Sequence, residues 1–337
     1  IECIKRMDVS KLHGVKLIAG RSNPELATEI SKKIGVPLVP VKFVDFANTE
    51  LNVEIEECVR GFHIYIIQSG CAYGGRSVND HLFELFAMIN ACNLSSAKSV
   101  NLIMPCYAYA RSDKKDAPRV PIMGACIATL LNSLVVKRVT SMDLHSGQIQ
   151  GFFSRDPVDN LYAINTHCDN LKNSIFKGLT DEEINNKFII ASPDAGAIKR
   201  TESYAQKLNM KYVVMHKHRS YETKNTVLST ILIGAPDSVK NKTVIIIDDI
   251  VDTLGTMISA ANELKLNGAK DVILVATHGL FSGAAIEKLN TCDMITNVIV
   301  TNTVPQKINQ EKSSKISVVD ISHLFASTIG KLQTCDS

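Results

Sequence analysis

Thr243-Val-Ile-Ile-Ile-Asp248-Asp249-Ile-Val-Asp252-Thr253-Leu-Gly255-Thr256 carries the chain from an apolar run into acids, hydroxyls and a glycine. The opening predicts a buried strand over 243–247. Two acids stop that strand, and a threonine-rich turn leads into a helix over 253–267. An apolar strand without alternation is covered on both faces, as in a parallel sheet. The polar letters suit a phosphorylated sugar. Carboxylates accept hydrogen bonds from sugar hydroxyls. The hydroxyls of Thr253 and Thr256, with the amides of a helix N-terminus, suit a phosphate dianion. Gly255 permits close backbone approach and unusual dihedrals. Read singly, the acids merely end a strand and Thr253 caps a helix. The six residues in this order favour the ligand.

Working outward, further strands are predicted at 16–19, 63–68, 100–104, 135–142, 188–191, 212–215, 227–233, 271–277 and 295–300. Helices fall between them at 23–35, 78–92, 122–134, 197–208 and 282–289. The first opens with Asn-Pro and closes at a glycine, a helix start and stop. Alternating strand and helix argues for doubly wound parallel α/β sheets, with ligands at the carboxyl ends of the strands. The pattern runs twice. The seam lies in 150–180, near Arg155-Asp156-Pro157 and the polar run 165–170, which gives domains over 1–162 and 163–337. A last helix near 321–331 is expected to pack back on the first half.

Composition narrows the ligand classes. The 337 residues are 45% apolar, carry a net charge of +3 and include no Trp. A nucleic-acid groove needs clustered cations and stacking rings, so it is not expected. Phosphorylated small molecules need only local cations. Nine cysteines without a CxxC pair, several in apolar runs such as that of Cys126, read as buried free thiols in a reducing, cytoplasmic setting. No run reaches the length of a membrane span, and no signal-peptide pattern opens the chain. Ile1 is not a methionine, which leaves an upstream targeting segment open.

Other stretches are equally specific in combination. They are Phe46-Ala-Asn48-Thr-Glu50, Tyr109-Ala-Arg111-Ser112-Asp113-Lys-Lys-Asp116, Met142-Asp143-Leu-His145 and Gln148-Ile-Gln-Gly151-Phe-Phe. The second half adds Ser192-Pro-Asp194-Ala-Gly196, His216-Lys217-His218-Arg219 and Thr277-His278-Gly279-Leu-Phe281-Ser282-Gly283. The turn after Thr243 resembles the phosphoribosyl-pyrophosphate loop of the type I phosphoribosyltransferases. Together, from about residue 16 to about residue 330, the motifs resemble the phosphate-activated class of ribose-phosphate pyrophosphokinases.

That resemblance implies ribose-phosphate diphosphokinase activity on two phosphoribosyltransferase-like domains facing each other across the site. It implies that Phe46, Asn48 and Glu50 of a neighbouring subunit cover the adenine of ATP, and that Arg111, Ser112 and Asp116 bind the nucleotide. His145 and Asp194 match residues that hold magnesium with the ATP phosphates. Lys217 and Arg219 match a catalytic pair on a mobile loop. Asp248, Asp249, Asp252, Thr253, Gly255 and Thr256 match the ribose 5-phosphate site. A homohexamer built from dimers, activation by phosphate and inhibition by ADP follow from the same resemblance.

Three departures stand out. Ser112 stands where the family usually has Gln, which removes an amide. Ala197 replaces a second glycine. The segment from Gly70 to Asp80, with Tyr73, Gly74, Gly75 and Arg76, is several residues longer than the family's loop. The region after Arg219 is slightly longer too. One rival reading is a catalytically silent regulatory homologue. A plain phosphoribosyltransferase is another, but it leaves the first-half motifs unexplained.

Overall fold

The computed structural model describes residues 12, 14–219, 227–233 and 236–334, with the backbone course alone at 216–219, 227–233 and 236–237. By internal contacts the chain divides into two compact units. One comprises residues 1–162, 302–305 and 320–337, and the other residues 163–301 and 306–319.

The first unit runs β1 (Val15–Ala19), α1 (Pro24–Ile34), β2 (Val41–Asp45), β3 (Leu51–Ile55), β4 (His63–Ile67), α2 (Val78–Leu94), β5 (Ser99–Ile103), α3 (Met123–Ser133), β6 (Arg138–Met142) and β7 (Val158–Leu161). Its parallel sheet has the order β1-β4-β5-β6-β7. A single parallel bridge, Leu17 to Leu38, extends it beyond β1. The chain therefore leaves β1 outward to residue 38 and leaves β4 in the opposite direction, so a switch point lies between β1 and β4.

Helix α1 forms because Asn23 caps it, accepting from the Leu26 amide at 3.3 Å, and Gly35 ends it with φ 74. Ile64, Ile66, Val100 and Leu102 meet Leu85, Met88 and Ile89 of α2 and Leu131 of α3 in one core. The strands β2 and β3 pair as a separate antiparallel hairpin. Neither was anticipated, although Val41-Phe43 and Leu51-Val53-Ile55 carry the period of two that a one-sided hairpin needs.

The second unit runs α4 (Ile164–Asn173), α5 (Asp181–Lys187), β8 (Phe188–Ser192), α6 (Ile198–Leu208), β9 (Tyr212–Arg219), β10 (Val227–Ile233), β11 (Thr243–Val251), α7 (Gly255–Leu266), β12 (Asp271–Gly279), α8 (Ala285–Thr291), β13 (Ile295–Thr301), α9 (Lys307–Lys312) and β14 (Ile316–Val319). The sheet order is β10-β9-β8-β11-β12-β13-β14, and only the β9–β10 pair is antiparallel. Alternate residues of β11 serve two cores. Val244 and Ile246 pack with Met257, Ala260 and Leu264 of α7. Ile245 and Ile247 pack with Tyr204, Ala205 and Leu208 of α6. Helices on both faces of a parallel sheet make this unit doubly wound, as the apolar runs implied.

Several local expectations are corrected. The polar run at 165–170 is no linker: it lies inside α4, which buries His167, Cys168 and Leu171. Strands β7 and β14 and helices α5 and α9 were not anticipated; α5 announces itself by a capping box between Thr180 and Glu183. The strand expected from residue 135 starts at Arg138, because Val135 takes φ 59 just after α3. Cys126 is exposed rather than buried, since α3 turns Gly124, Ile127, Ala128 and Leu131 inward. The thiols of Cys71, Cys92, Cys106 and Cys168 are free and buried.

The last helix, α10 (Ser322–Thr334), belongs to the first unit. It packs on α1, and Gln333 donates to the Tyr65 hydroxyl at 2.7 Å. Among the described residues no helix is long and apolar enough to cross a membrane.

Candidate active site

In the second unit the strand order diverges between β8 and β11, and two of the sequence-predicted groups emerge there. Asp194 follows β8. Its Oδ1 accepts the amides of Gly196 at 3.0 Å and Ala197 at 3.2 Å, closing a short turn before α6. The methyl of Ala197 is buried against the protein.

Asp248 and Asp249 do not end β11. The strand continues through them to Val251, because β12 runs alongside as far as Gly279. A parallel partner satisfies the backbone whatever the side chains are, so pairing overrides the weak strand propensity of Asp. Asp249 is 4% exposed. The Asp249 amide donates to Asp248 Oδ1 at 2.8 Å. Burial, then the adjacent Asp249 charge, pushes the Asp248 carboxyl up to about 8, with Arg200 pulling it down. Arg200 of α6 sits 3.1 Å from Asp249 and 3.7 Å from Asp248.

The turn after β11 differs from expectation in one respect. The left-handed residue is Leu254, with φ 61, and not Gly255. A left-handed non-glycine residue costs about 1–2 kcal/mol. Burying the Leu254 side chain in the α7 core contributes about 1.5–3 kcal/mol and offsets it. With Leu254 tucked in, Thr253 and Gly255 face outward and Thr256 is half-buried. Thr253 is not the cap of α7, which starts without a side-chain cap bond. A Cβ added at Gly255 would meet nothing within 4 Å.

Lys217 and Arg219 fall on β9, opposite Thr230 and Val227 of β10. The strand carries through both positions rather than ending at residue 215 in a loop. The lengthened region after Arg219, at 220–226, lies outside the described residues.

In the first unit the remaining candidates follow the carboxyl ends of the strands or cap the hairpin. Phe46, Asn48 and Glu50 form the β2–β3 turn. There the Phe46 amide donates to the Glu50 carbonyl at 2.8 Å and Thr49 takes φ 72. Asn48 Oδ1 accepts the Glu50 amide at 3.2 Å. Phe46 is 49% exposed, a large ring left outside.

The stretch after β5 carries Arg111 and Asp116, both exposed. Ser112 Oγ accepts the Met123 amide at 3.0 Å, which satisfies a free donor at the start of α3. That helix has no cap of its own. The serine in place of glutamine thus closes this loop onto α3. After β6 the chain turns through Asp143 at φ 41 and leaves His145 exposed.

Two family models match the chain: the N-terminal domain of ribose phosphate pyrophosphokinase over residues 15–134, and the phosphoribosyl synthetase-associated domain over residues 230–337. Ribose-phosphate pyrophosphokinase 2 of Schizosaccharomyces pombe is 41% identical over 96% of both chains. The chain belongs to the ribose-phosphate pyrophosphokinase family. Ribose-phosphate pyrophosphokinase 4 of Saccharomyces cerevisiae is 40% identical, over 97% of this chain and 94% of its own. The crystal structure of phosphoribosylpyrophosphate synthetase from Mycobacterium smegmatis superposes with a TM-score of 0.83 at 36% identity. The match covers 96% of this chain and 99% of that one.

The pyrophosphokinase fold also assembles residues that sequence reading missed. Arg200 is one, the cation beside the paired carboxylates. Arg21 and Asp45 are others, at the switch point of the first unit. Arg21 had a legible signal, since Gly20-Arg21-Ser22-Asn23 joins an apolar strand to a capped helix. Arg200 had none, because nothing in a helix interior tells which arginine faces a strand end.

Proposed function

We propose that this chain is a working ribose-phosphate diphosphokinase, converting ATP and ribose 5-phosphate to AMP and 5-phosphoribosyl 1-pyrophosphate. The observation that carries the reading is the β8–β11 divergence. There the Asp248–Asp249 pair, with the Asp248 carboxyl raised, its arginine and an outward Thr253–Gly255 turn meet a helix start that has no side-chain cap bond. Asp248 and Asp249 take the ribose hydroxyls. The turn that Asp252 opens and the α7 amides take the 5-phosphate. Phe46, Asn48 and Glu50 pack on the adenine of a neighbouring subunit's ATP. Arg111 and Asp116 hold the nucleotide on the loop that Ser112 closes.

The C1 hydroxyl oxygen bonds to the β-phosphorus as that atom's bond to the α,β-bridging oxygen breaks. AMP leaves, and the hydroxyl proton passes to solvent. Lys217 and Arg219 hold the oxygens of the diphosphate being transferred, where charge builds up. Among the described residues no three His, Cys, Asp or Glu side chains gather into a cluster. Magnesium bound with a nucleotide needs only one or two protein ligands beside phosphate and water oxygens. Asp194 and His145 would each serve as such a ligand, and the cation, when bound, would supply positive charge to the phosphates. The same reading carries a homohexamer built from dimers, phosphate and ADP as effectors, and a cytoplasmic location.

The decisive assay mixes the protein with ATP, magnesium and ribose 5-phosphate, with and without phosphate. AMP and phosphoribosyl pyrophosphate are expected in equal amounts. Folded protein that binds ATP and releases no AMP would instead be a silent regulatory homologue. A second test uses Gly255→Ala. The methyl enters open space and the backbone is not left-handed, so the melting temperature should hold. The KM for ribose 5-phosphate should rise about tenfold or more, since the methyl occupies the phosphate's place. An unchanged KM would remove the phosphate from this turn.

A further inference from the structure

The lengthened segment after β4 is a built device, with no slack. Tyr73 and Arg76 exchange both backbone hydrogen bonds at 3.1 Å around Gly74 (φ 61) and Gly75 (φ 77). That is the two-residue turn with two left-handed positions, which glycines make without strain. Ser77 then starts α2 in a reciprocal capping box with Asp80. The Tyr109 hydroxyl donates to Asn79, and the His81 ring lies 3.2 Å from the Tyr73 carbonyl. The short hairpin is thus tied at both ends.

From this hairpin the Arg76 guanidinium reaches Asp45, the last residue of β2. Both oxygens of the same carboxylate take the fork of Arg21, at 2.9 and 3.1 Å, and Arg76 shares Oδ2 with it. Arg21 stacks 4.6 Å from the Phe43 ring centre and donates through Nε to the fully buried Glu84. Glu84 also accepts the Arg21 amide at 2.7 Å and Gln68 Nε2 at 3.0 Å. The line of charge therefore runs from the core (Glu84) through Arg21 and Asp45 to the inserted Arg76. An isolated surface pair contributes at most about 1 kcal/mol. Here one carboxylate lies between two guanidiniums, one bidentate and itself anchored on a buried acid, so its direction is well determined. The residue after Asp45 is Phe46, the first of the hairpin turn.

We propose that Arg76 is a positioning residue for the nucleotide: through Asp45 it sets the direction in which the Phe46–Glu50 turn is presented to adenine. This rests on the proposed role of that turn in covering ATP. The segment works through β2.

The test compares wild type, Arg76→Ala and Arg76→Lys in steady-state kinetics for both substrates, with calorimetric binding of magnesium ATP. Arg76→Ala should raise KM for ATP about five- to tenfold. Both kcat and the KM for ribose 5-phosphate should stay within about twofold, and the melting temperature should be unchanged. Arg76→Lys should recover part of the loss, since it keeps the charge and loses the planar fork. High salt should raise the wild-type KM for ATP towards that of the alanine variant. An active enzyme whose KM for ATP ignores Arg76→Ala overturns the positioning role alone, as does an equal rise in both KM values. If wild type makes no AMP, the activity reading falls. In that case a weakened Kd for magnesium ATP in Arg76→Ala still supports the positioning, and an equal Kd overturns it.

Discussion

Replacing Lys217 with alanine is expected to lower kcat about 100- to 1,000-fold while KM for each substrate changes less than about fivefold. The fold-change corresponds to about 3–4 kcal/mol of transition-state stabilisation. Diphosphoryl transfer asks little covalent help of a protein. It asks for cations where oxygen charge develops, in a site that excludes competing water. A lysine that only bound ATP would stabilise ground and transition states alike and would show in KM. Steady-state kinetics with both substrates varied separates the two. Intact kcat with a raised KM would make Lys217 a binding residue. Because Lys217 lies within β9 and the β9–β10 ladder is made by backbone groups, the strand should survive the change. Unaltered circular dichroism serves as the control.

Arg200→Ala is expected to destabilise the substrate-free protein by about 2–3 kcal/mol near pH 8, with a smaller loss at pH 5. The sign follows from Asp248. Its carboxyl is raised in the fold to about 8, from 3.8 without burial or neighbours. The unfolded chain gives up this proton as pH passes 3.8, while the folded chain keeps it until about pH 8. The unfolded state then binds fewer protons, so stability falls with rising pH across that window. Arg200 opposes the fall, and its removal should steepen it. Asp248→Asn should flatten it, because the amide has no proton to lose. The double variant should regain most of the stability, since the leftover negative charge is then single. Denaturant midpoints at pH 5, 6.5 and 8 measure all of this. A penalty for Arg200→Ala that is the same at every pH would show that its packing matters and its charge does not.

The ligand side of the site was largely written in order along the chain. Strand, acids, hydroxyls and glycine over Thr243–Thr256 are local letters with local consequences. They made a parallel α/β sheet legible, together with a turn whose chemistry suits a sugar phosphate. The limits of the reading were also local. The acids at Asp248 and Asp249 looked like a strand end, yet a neighbouring strand kept the backbone extended through them. The glycine at 255 looked like the strained position, yet Leu254 takes the strain because its side chain has a core to enter. Ser112 looked like a weakened nucleotide ligand, yet its hydroxyl satisfies a helix eleven residues on.

Hydrophobic period, caps and motif order belong to neighbouring residues, so the sequence alone determined the doubly wound class, most of the strands and helices, and the family of the chain. Two contacts were decided only when the fold brought distant residues together: Arg200 beside Asp249 and Arg76 beside Asp45. The reason is physical. A charge chooses its partner by distance in space, and separations of 49 and 31 residues along the chain become hydrogen-bond contacts only after the sheets have formed.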